Sequence, residues 1–472
     1  MCARSSNSIA GVPATAPNIT TARLIAIVTG IIGAVLAIAT PLLPVQQDVS
    51  TLSWPQSSFG SVNAPLVSYS PLDLDATIPC STATRLDGGG TVMSTAPIAA
   101  AKTEQRALTV RVDDDRLQVL LRDRVLAEAP VSDLASDCAL TISSNAARTV
   151  VDLGGAATTV DGDVRPQVVG IFTDLTAPVD GMNVRVDIDS RYSSTPTTFK
   201  LLAMIVGALA VVASLFALHR LDSVDGRRHR RFLPSRWKSV TGVDAVVVGV
   251  LVLWHFIGAN TSDDGYLLNM ARVSEHAGYM ANYFRWFGVP EAPFGMPYYD
   301  MLAALAKVST ASIWMRLPAT IAALLCWLVI SREVIPRLGR AVLTNRVALW
   351  TAGLVFLAFW LPYDNGLRPE PVIALGALLT WCSIERAIAT GRLLPAAVGT
   401  LIAAFSLAAG PTGLIAVAAL LAGLRPIVMI IVKRARQVGL LAVLAPLIAS
   451  GLAVVIAIFA DQTLSTVLEA TR

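Results

Sequence analysis

The amino-acid sequence predicts a polytopic α-helical membrane protein with an inserted extracytoplasmic all-β domain of jelly-roll type. Three observations carry that prediction. The composition is 54% hydrophobic and only 15% charged, with mean hydropathy +0.61, whereas a soluble domain runs about 25% charged. Most of the chain beyond residue 198 consists of apolar runs close to the roughly 20 residues that cross a bilayer. Residues 46–197 instead are polar and mixed, with the two-residue alternation of strands. A single large soluble protein does not generate so many apolar runs of that length.

Residues 1–20 are rich in Ser, Ala, Pro and Asn and read as a disordered cytoplasmic tail. Residues 21–45 hold the first span, its apolar run covering 22–42. A cleaved signal peptide is the alternative, but the run exceeds the usual core of about 7–15 residues and a single basic residue, Arg4, precedes Arg23. Within 46–197 the stretches RALTVRVDDDRLQVLLRDRVLA, RTVVDL, PQVVGIFTDL and MNVRVDIDS read as short strands punctuated by Gly, Pro, Asp and Ser. Many short strands of this kind predict a sandwich or jelly roll. Residues 198–259 carry two spans, 200–219 and 242–257, joined by the loop Arg227-Arg228-His229-Arg230-Arg231. Residues 260–315 contain no clean span and read as an extracytoplasmic loop with short helices lying at the membrane surface. Residues 316–472 supply about six more spans, at 316–331, 347–362, 370–383, 393–409, 412–424 and 437–459. The hairpin at Gly410-Pro411 is the weakest part of this reading, because its return segment is short. No internal repeat is evident.

Orientation follows from charge. Net charge is +4, and the basic residues cluster at ends of apolar runs: Arg227–Arg231, then Arg332, Arg337, Arg340 and Arg346, then Arg386 and Arg392, then Arg425 through Lys433, Arg434 and Arg436. Short loops rich in Arg and Lys stay in the cytoplasm. That places the β-domain and the acidic loops outside. Nucleic-acid binding is disfavoured, because no soluble basic domain accompanies the clusters. Of five cysteines, Cys326 and Cys382 lie inside apolar runs, and Cys80 and Cys138 form the pair in the polar domain. An exterior domain favours a disulfide between them. Closing a loop of roughly 58 residues is worth about 4 kcal/mol by chain entropy.

Candidate chemistry concentrates beyond the third span. In Asn260-Thr261-Ser262-Asp263-Asp264-Gly265-Tyr266 two adjacent carboxylates directly follow a membrane helix. Ionisable groups there are costly and mark function. Adjacent carboxylates disfavour each other's charge, which suits one of them to general-base work; either could also cap the helix that follows. Gly265 permits a tight turn. Next, Glu291 lies in a Pro-bounded turn among Tyr283, Phe284, Trp286, Phe287, Phe294, Tyr298 and Tyr299. Aromatic faces with a few carboxylates suit a sugar, although an interfacial aromatic belt has the same composition. Arg285 is a phosphate contact or an interface anchor. Finally, Tyr363 to Glu370 follows another span on the same side, where Arg368 is able to hold a phosphate bidentately. His255 and His276 flank the acid pair without metal-ligand spacing, so no protein-made metal site is expected; a divalent cation held by Asp263 or Asp264 stays open. Neither a Walker A lysine motif nor a Rossmann fingerprint is present. Met270 reads as a packing residue. Two classes survive: a membrane enzyme acting outside the cell on a lipid-linked substrate, and a lipid or sugar transporter. A transporter places broken segments at the bilayer midplane and has related halves, and neither is clear here.

Several stretches resemble a known family. ATPLLPVQQ, LWHFIGANTSDDGYLL, MARVSEHAGYMANYFRWFG, WMRLP, NGLRPEP with the following IALG, and DQTLSTVLEATR are similar to the mycobacterial-type membrane arabinosyltransferases EmbA, EmbB and EmbC, nearest the B or C type. The resemblance covers nearly the whole chain, while family members are about twice as long; the chain therefore resembles their N-terminal portion. It implies a C-type glycosyltransferase fold in the plasma membrane and inverting transfer of D-arabinofuranose from decaprenyl-phosphoryl-arabinose to a growing cell-wall arabinan. The B type implies arabinogalactan as product and the C type lipoarabinomannan. It also implies that Asp263 is the base, that Asp264 orients its loop, that Glu291 contacts acceptor sugar and that Arg368 is a weaker candidate for the donor phosphate. Trp286 and Tyr298 are the aromatic candidates for substrate contact. Ethambutol binds the same acidic pocket in the family, and Met270 matches a position where resistance arises. A homodimer or a heterodimer with a paralogue is implied. So is an acyl carrier protein on the cytoplasmic side, near Arg227–Arg231 and Arg337–Arg346. One departure stands out: where the family has PFGWYY, this chain has Phe294-Gly295-Met296-Pro297-Tyr298-Tyr299. The family's C-terminal half supplies further active-site groups, so this chain alone is expected to be incomplete as an enzyme.

Overall fold

The structure is a computed structural model and describes residues 19–64, 71–86, 88–100, 102–135, 137–223, 235–261, 263–277, 295–364 and 366–470. Glu291, Trp286, Arg285 and the Arg227–Arg231 loop lie outside the described residues, as does the tail before Ile19. The chain divides into two compact units, one built from Gln46–Thr195 and one that is helical.

In the first unit, twelve strands among the described residues form a six-stranded sheet, a four-stranded sheet and a two-stranded pair. The larger sheet runs β1 (Val45–Trp54), β12 (Asn183–Pro196), β3 (Asp73–Pro79), β8 (Ala139–Asn145), β9 (Arg148–Leu153) and β10 (Ala156–Asp161). The smaller runs β4 (Gly90–Ser94), β5 (Leu108–Asp113), β6 (Arg116–Leu121) and β7 (Arg124–Pro130). The pair is β11 (Gly170–Ile171) with β2 (Val62–Asn63). Alternation decides which side chains go inward: Leu74, Ala76 and Ile78 from β3, with Val110, Val112, Leu117 and Val119 from β5 and β6, share one buried core. The hairpins are tight because their central residues accept positive φ: Asp114 and Asp115 between β5 and β6, Arg122 and Asp123 between β6 and β7, and Gly154 and Gly155 between β9 and β10. Cys80 and Cys138 are joined by the expected disulfide.

The second unit contains α1 (Ile19–Ala39), α2 (Thr198–Asp222), α3 (Gly242–Ile257), α4 (Asp264–Ala277), α5 (Tyr298–Ala306), α6 (Ser312–Met315) and α7 (Leu317–Val329). A π-turn at Ile330–Val334 links α7 to α8 (Ile335–Arg337). Then follow α9 (Arg340–Thr344), α10 (Arg346–Asp364), α11 (Glu370–Thr390), α12 (Leu394–Ala409), α13 (Leu414–Ala422), α14 (Leu424–Val438), α15 (Leu440–Ile458) and α16 (Leu464–Ala470). Among the described residues six helices are long and apolar enough to cross a membrane: Ile19–Leu42, Thr198–Asp222, Leu317–Arg337, Arg346–Tyr363, Glu370–Thr390 and Leu440–Ile458; the bent pair Pro411–Ala422 and Leu424–Val438 meets the same criterion only when taken together. The expected spans at 242–257 and 393–409 are helices of 16 residues each. At 1.5 Å per residue they reach about 24 Å, short of a hydrocarbon core of about 30 Å.

The expected span at 412–424 is helical and, as its reading anticipates, short. It is the nine-residue helix α13, bent by 55° from α14. The basic run from Arg425 to Arg436, read as a loop, is helical instead. Its apolar residues recur at helical spacing between the charges, which sustains a helix that charge alone disguises.

The buried charges of Asp244, Asp222 and Lys200 in this unit are paired, as a low-dielectric setting requires. Asp244 accepts from Arg332 at 2.7 Å, from the indole of Trp327 at 2.9 Å and from Thr241 in a capping box at the start of α3. Asp222 accepts from the backbone of Leu393 and Leu394, closing the start of α12. Lys200 is fully buried and donates to the carbonyls of Leu43 and Gln462, fastening the ends of three segments.

Candidate functional site

The site is built where α3 ends. The backbone N–H of Gly258 closes the last turn on the carbonyl of Trp254, and six residues later α4 begins at Asp264. The two acids of the turn take different roles. Asp264 is 6% exposed; its carboxylate accepts from Thr261 N at 2.8 Å, Thr261 Oγ1 at 2.6 Å and Leu367 N at 2.8 Å. It therefore ties the start of α4 to the loop between α10 and α11. Gly366 lies against this junction, where a Cβ would come within 3.0 Å of Thr261 Cγ2 and 3.3 Å of Asp264 Oδ1. Asp263 is 40% exposed at its side chain and forms an ion pair with Arg368, which is 30% exposed.

Arg368 is held from below. Tyr298, at the start of α5, is 4% exposed, and its hydroxyl points at the carbonyls of Leu367 (2.7 Å) and Arg368 (3.0 Å). Burial pushes that hydroxyl well above the ordinary tyrosine range, with Tyr299 and the acids Glu370 and Asp264 adding to the shift, so it stays a neutral donor. Pro297 occupies the N-cap position of α5. Thus the residue read as a sugar-facing aromatic spends its polar atom on the Arg368 loop. Met270, 1% exposed, packs with Leu267, Tyr298, Tyr299 and Leu302 beneath the acid pair.

A cavity of about 250 Å³ opens beside Asp264, lined by Asn260, Thr261, Thr310, Ser312, Arg316 and Leu367 among others. Arg316 is 6% exposed, donates to the carbonyl of His255 at 3.0 Å and bonds the side-chain oxygen of Asn260, which also accepts from Ser312 at 3.3 Å. His255 in turn meets Thr320 at 2.7 Å. Sequence reasoning passed over Asn260, Thr261 and Arg316; the signal available was an arginine in WMRLP directly before an apolar run. Glu370 Oε2 and Arg368 Nε are buried without a hydrogen-bond partner among the described residues. Among those residues no three His, Cys, Asp or Glu side chains converge as metal ligands.

The structure therefore brings together Asp263, Asp264, Arg368, Tyr298 and Met270. A half-exposed carboxylate and a guanidinium, mounted on a buried brace at the end of an apolar helix, form the candidate site of a protein with several helices able to cross a membrane. The chain belongs to the family described as "Mycobacterial cell wall arabinan synthesis protein", which matches residues 195–472. Residues 46–191 match the "Arabinosyltransferase concanavalin like domain". Over 472 residues the chain is 52% identical to "Probable arabinosyltransferase C" of Mycobacterium tuberculosis H37Rv, covering 95% of this chain and 43% of that protein. It is 50% identical to "Probable arabinosyltransferase B" of Mycolicibacterium smegmatis, covering 96% of this chain and 43% of that protein. The cryo-EM structure of arabinosyltransferase EmbB from Mycobacterium smegmatis superposes with a TM-score of 0.88 at 50% identity, covering 96% of this chain and 45% of that one. The chain thus spans less than half the length of the relatives it matches.

Proposed function

We propose that this chain forms the acceptor-activating part of an inverting arabinofuranosyltransferase acting at the outer face of the plasma membrane, with decaprenyl-phosphoryl-arabinose as donor and a growing cell-wall arabinan as acceptor. The observation that carries the reading is the division of labour in the acid pair: Asp264 is consumed by the fold, while Asp263 stays half-exposed beside Arg368. Asp263 takes the proton of the acceptor hydroxyl as that oxygen attacks the anomeric carbon from the face opposite the phosphate. The bond from that carbon to the phosphate oxygen breaks, and the lipid phosphate departs with the electron pair. Arg368 is the candidate to meet its charge, exchanging Asp263 for phosphate as it does so. Glu291 and Trp286 are assigned to acceptor sugar, and Tyr298 to holding the Arg368 loop. Positive-inside charge supports the assignment of the acid loop and β-domain to the exterior.

The lengths of the relatives support a second element of the proposal: the chain needs a C-terminal portion to turn over. Pairing with a second copy or a paralogue, contact with an acyl carrier protein at the basic cytoplasmic loops, and an ethambutol site at the acid pair belong to the same reading. The test is a reconstituted assay of arabinose transfer from decaprenyl-phosphoryl-arabinose to an arabinan acceptor, with this chain alone and with a relative's C-terminal half supplied in trans. Transfer only with the added half supports the proposal. Absence of transfer in both, with donor bound and the chain folded, favours a transport or purely binding role.

A further inference from the structure

The helix α14 is not accounted for by the transfer reaction. Its inner face is buried, with Ile427 at 7%, Arg434 at 6% and Val438 at 4% exposure. Its outer face has no protein partner among the described residues and is graded. With 3.6 residues per turn, Leu424, Val428 and Val432 fall along one edge, within an arc of about 80°. The exposed residues Arg425, Arg436 and Lys433 follow along the next arc of about 80°, with Met429 between them. The three apolar residues are 52%, 45% and 46% exposed.

The contacts at its two ends fix its course. At the bend, Gly423 lies against Ile384 and Ile388, on the last two turns of α11. Eleven residues later Arg434 donates to the carbonyl of Gly391, directly after the end of α11. A helix rises about 16 Å over that length, yet both contacts fall near the same end of α11. From Ile384 to Gly391 α11 itself advances only about 10 Å, so the segment runs obliquely to α11, and it departs from α13 at 55°. Arg386 and Arg392 mark the same end of α11.

We infer that α14 lies in the headgroup region of the basic, cytoplasmic face of the bilayer, its Leu424–Val428–Val432 edge in the acyl boundary and its Arg425–Lys433–Arg436 edge on anionic lipid headgroups. A graded apolar-to-basic face is the pattern of an in-plane helix, and anionic lipid is the partner its charge fits. The helix is then an anionic-lipid site and a surface anchor for the α13–α15 segment, not half of a span.

The experiment places bimane at Val428→Cys in the full chain, with the cysteines outside the disulfide replaced by Ala. The protein is reconstituted in vesicles of equal parts phosphatidylcholine and phosphatidylglycerol, bromine being carried near the headgroup end of the acyl chains of one lipid or the other. Brominated phosphatidylglycerol is expected to quench several-fold more strongly, with each basic residue worth roughly a fivefold preference at most. The triple change R425Q, K433Q and R436Q is expected to make the two lipids equivalent while quenching persists. Equal quenching by both lipids in the parent overturns the anionic assignment. Quenching by aqueous iodide and not by either lipid overturns membrane contact altogether. Quenching by bromine at the chain ends that matches a label at Ile448→Cys, in the middle of α15, shows a span and overturns the in-plane course. The depth readings use Val428→Cys or Ile448→Cys in the cysteine-replaced background without the triple change, so they stand even if the triple variant does not fold.

Discussion

Asp264→Ala isolates the brace from the chemistry. The substitution removes the acceptor of Thr261 N at 2.8 Å and of Leu367 N at 2.8 Å, and the partner of the Thr261 hydroxyl at 2.6 Å. The hydroxyl can turn elsewhere. The two amides cannot do so easily, because Leu367 is 4% exposed. An orphaned buried N–H costs about 1–3 kcal/mol; with Thr261 nearer to water, the sum is about 3 kcal/mol. That corresponds to roughly a 150-fold rise in the opening equilibrium of the 366–368 loop. Hydrogen exchange at the Leu367 and Arg368 amides reads it directly. Tyr298→Phe, which removes one hydroxyl shared by two carbonyls, is expected to raise the same exchange about fivefold, near 1 kcal/mol. Asp263→Asn weakens a half-exposed ion pair with Arg368 and is expected to stay within that range. Unchanged exchange at Leu367 in Asp264→Ala, or a larger effect from Asp263→Asn, would refute the division between the two acids.

Three further outcomes follow from the same geometry. Paired replacement of Cys80 and Cys138 by Ser is expected to lower the stability of the β-unit by about 4 kcal/mol, seen as an earlier first transition in a thermal melt; an unshifted transition contradicts it. The carboxyl of Asp163 is held below its ordinary range chiefly by its hydrogen bond from Arg165, that of Asp187 by Thr51 and that of Glu128 by Gln118. Depressed folded values stabilise above the unfolded carboxylate range and lose that contribution as pH falls, so the β-unit should weaken below about pH 4; Asp163→Asn should flatten that fall, as followed by acid titration of the transition. Gly295 has φ +98°, and a Cβ there would stand 2.2 Å from Tyr299 Cε2. Gly295→Ala is accordingly expected to cost about 1–3 kcal/mol and to loosen α5, measurable as faster exchange across Tyr298–Ala306; native-like protection there would contradict the packing.

Much of this architecture was legible because burial and period leave marks in sequence. Alternation in RALTVRVD exposed β5, and apolar length exposed α1, α2 and α15. The Cys80–Cys138 pairing followed from compartment. What stayed hidden depends on contacts far apart in the chain. Lys200 and Asp244 fall within stretches that read as spans and Asp222 lies just beyond one, and each is buried against partners more than 80 residues away. Asp263 and Asp264 were recognisable as a pair, but their sequence could not say which one faces outward. That choice is made by Leu367, 103 residues on from Asp264. α14 was disguised because its charges share the exposed face with its apolar residues.

The most direct test combines donor binding with turnover in Asp263→Asn, using this chain completed by a C-terminal half. Loss of arabinose transfer by at least about 10²-fold, the usual lower range for removing a positioned base, with binding of decaprenyl-phosphoryl-arabinose retained, is the expected result. Transfer that persists in Asp263→Asn would contradict the assignment of Asp263 as the base.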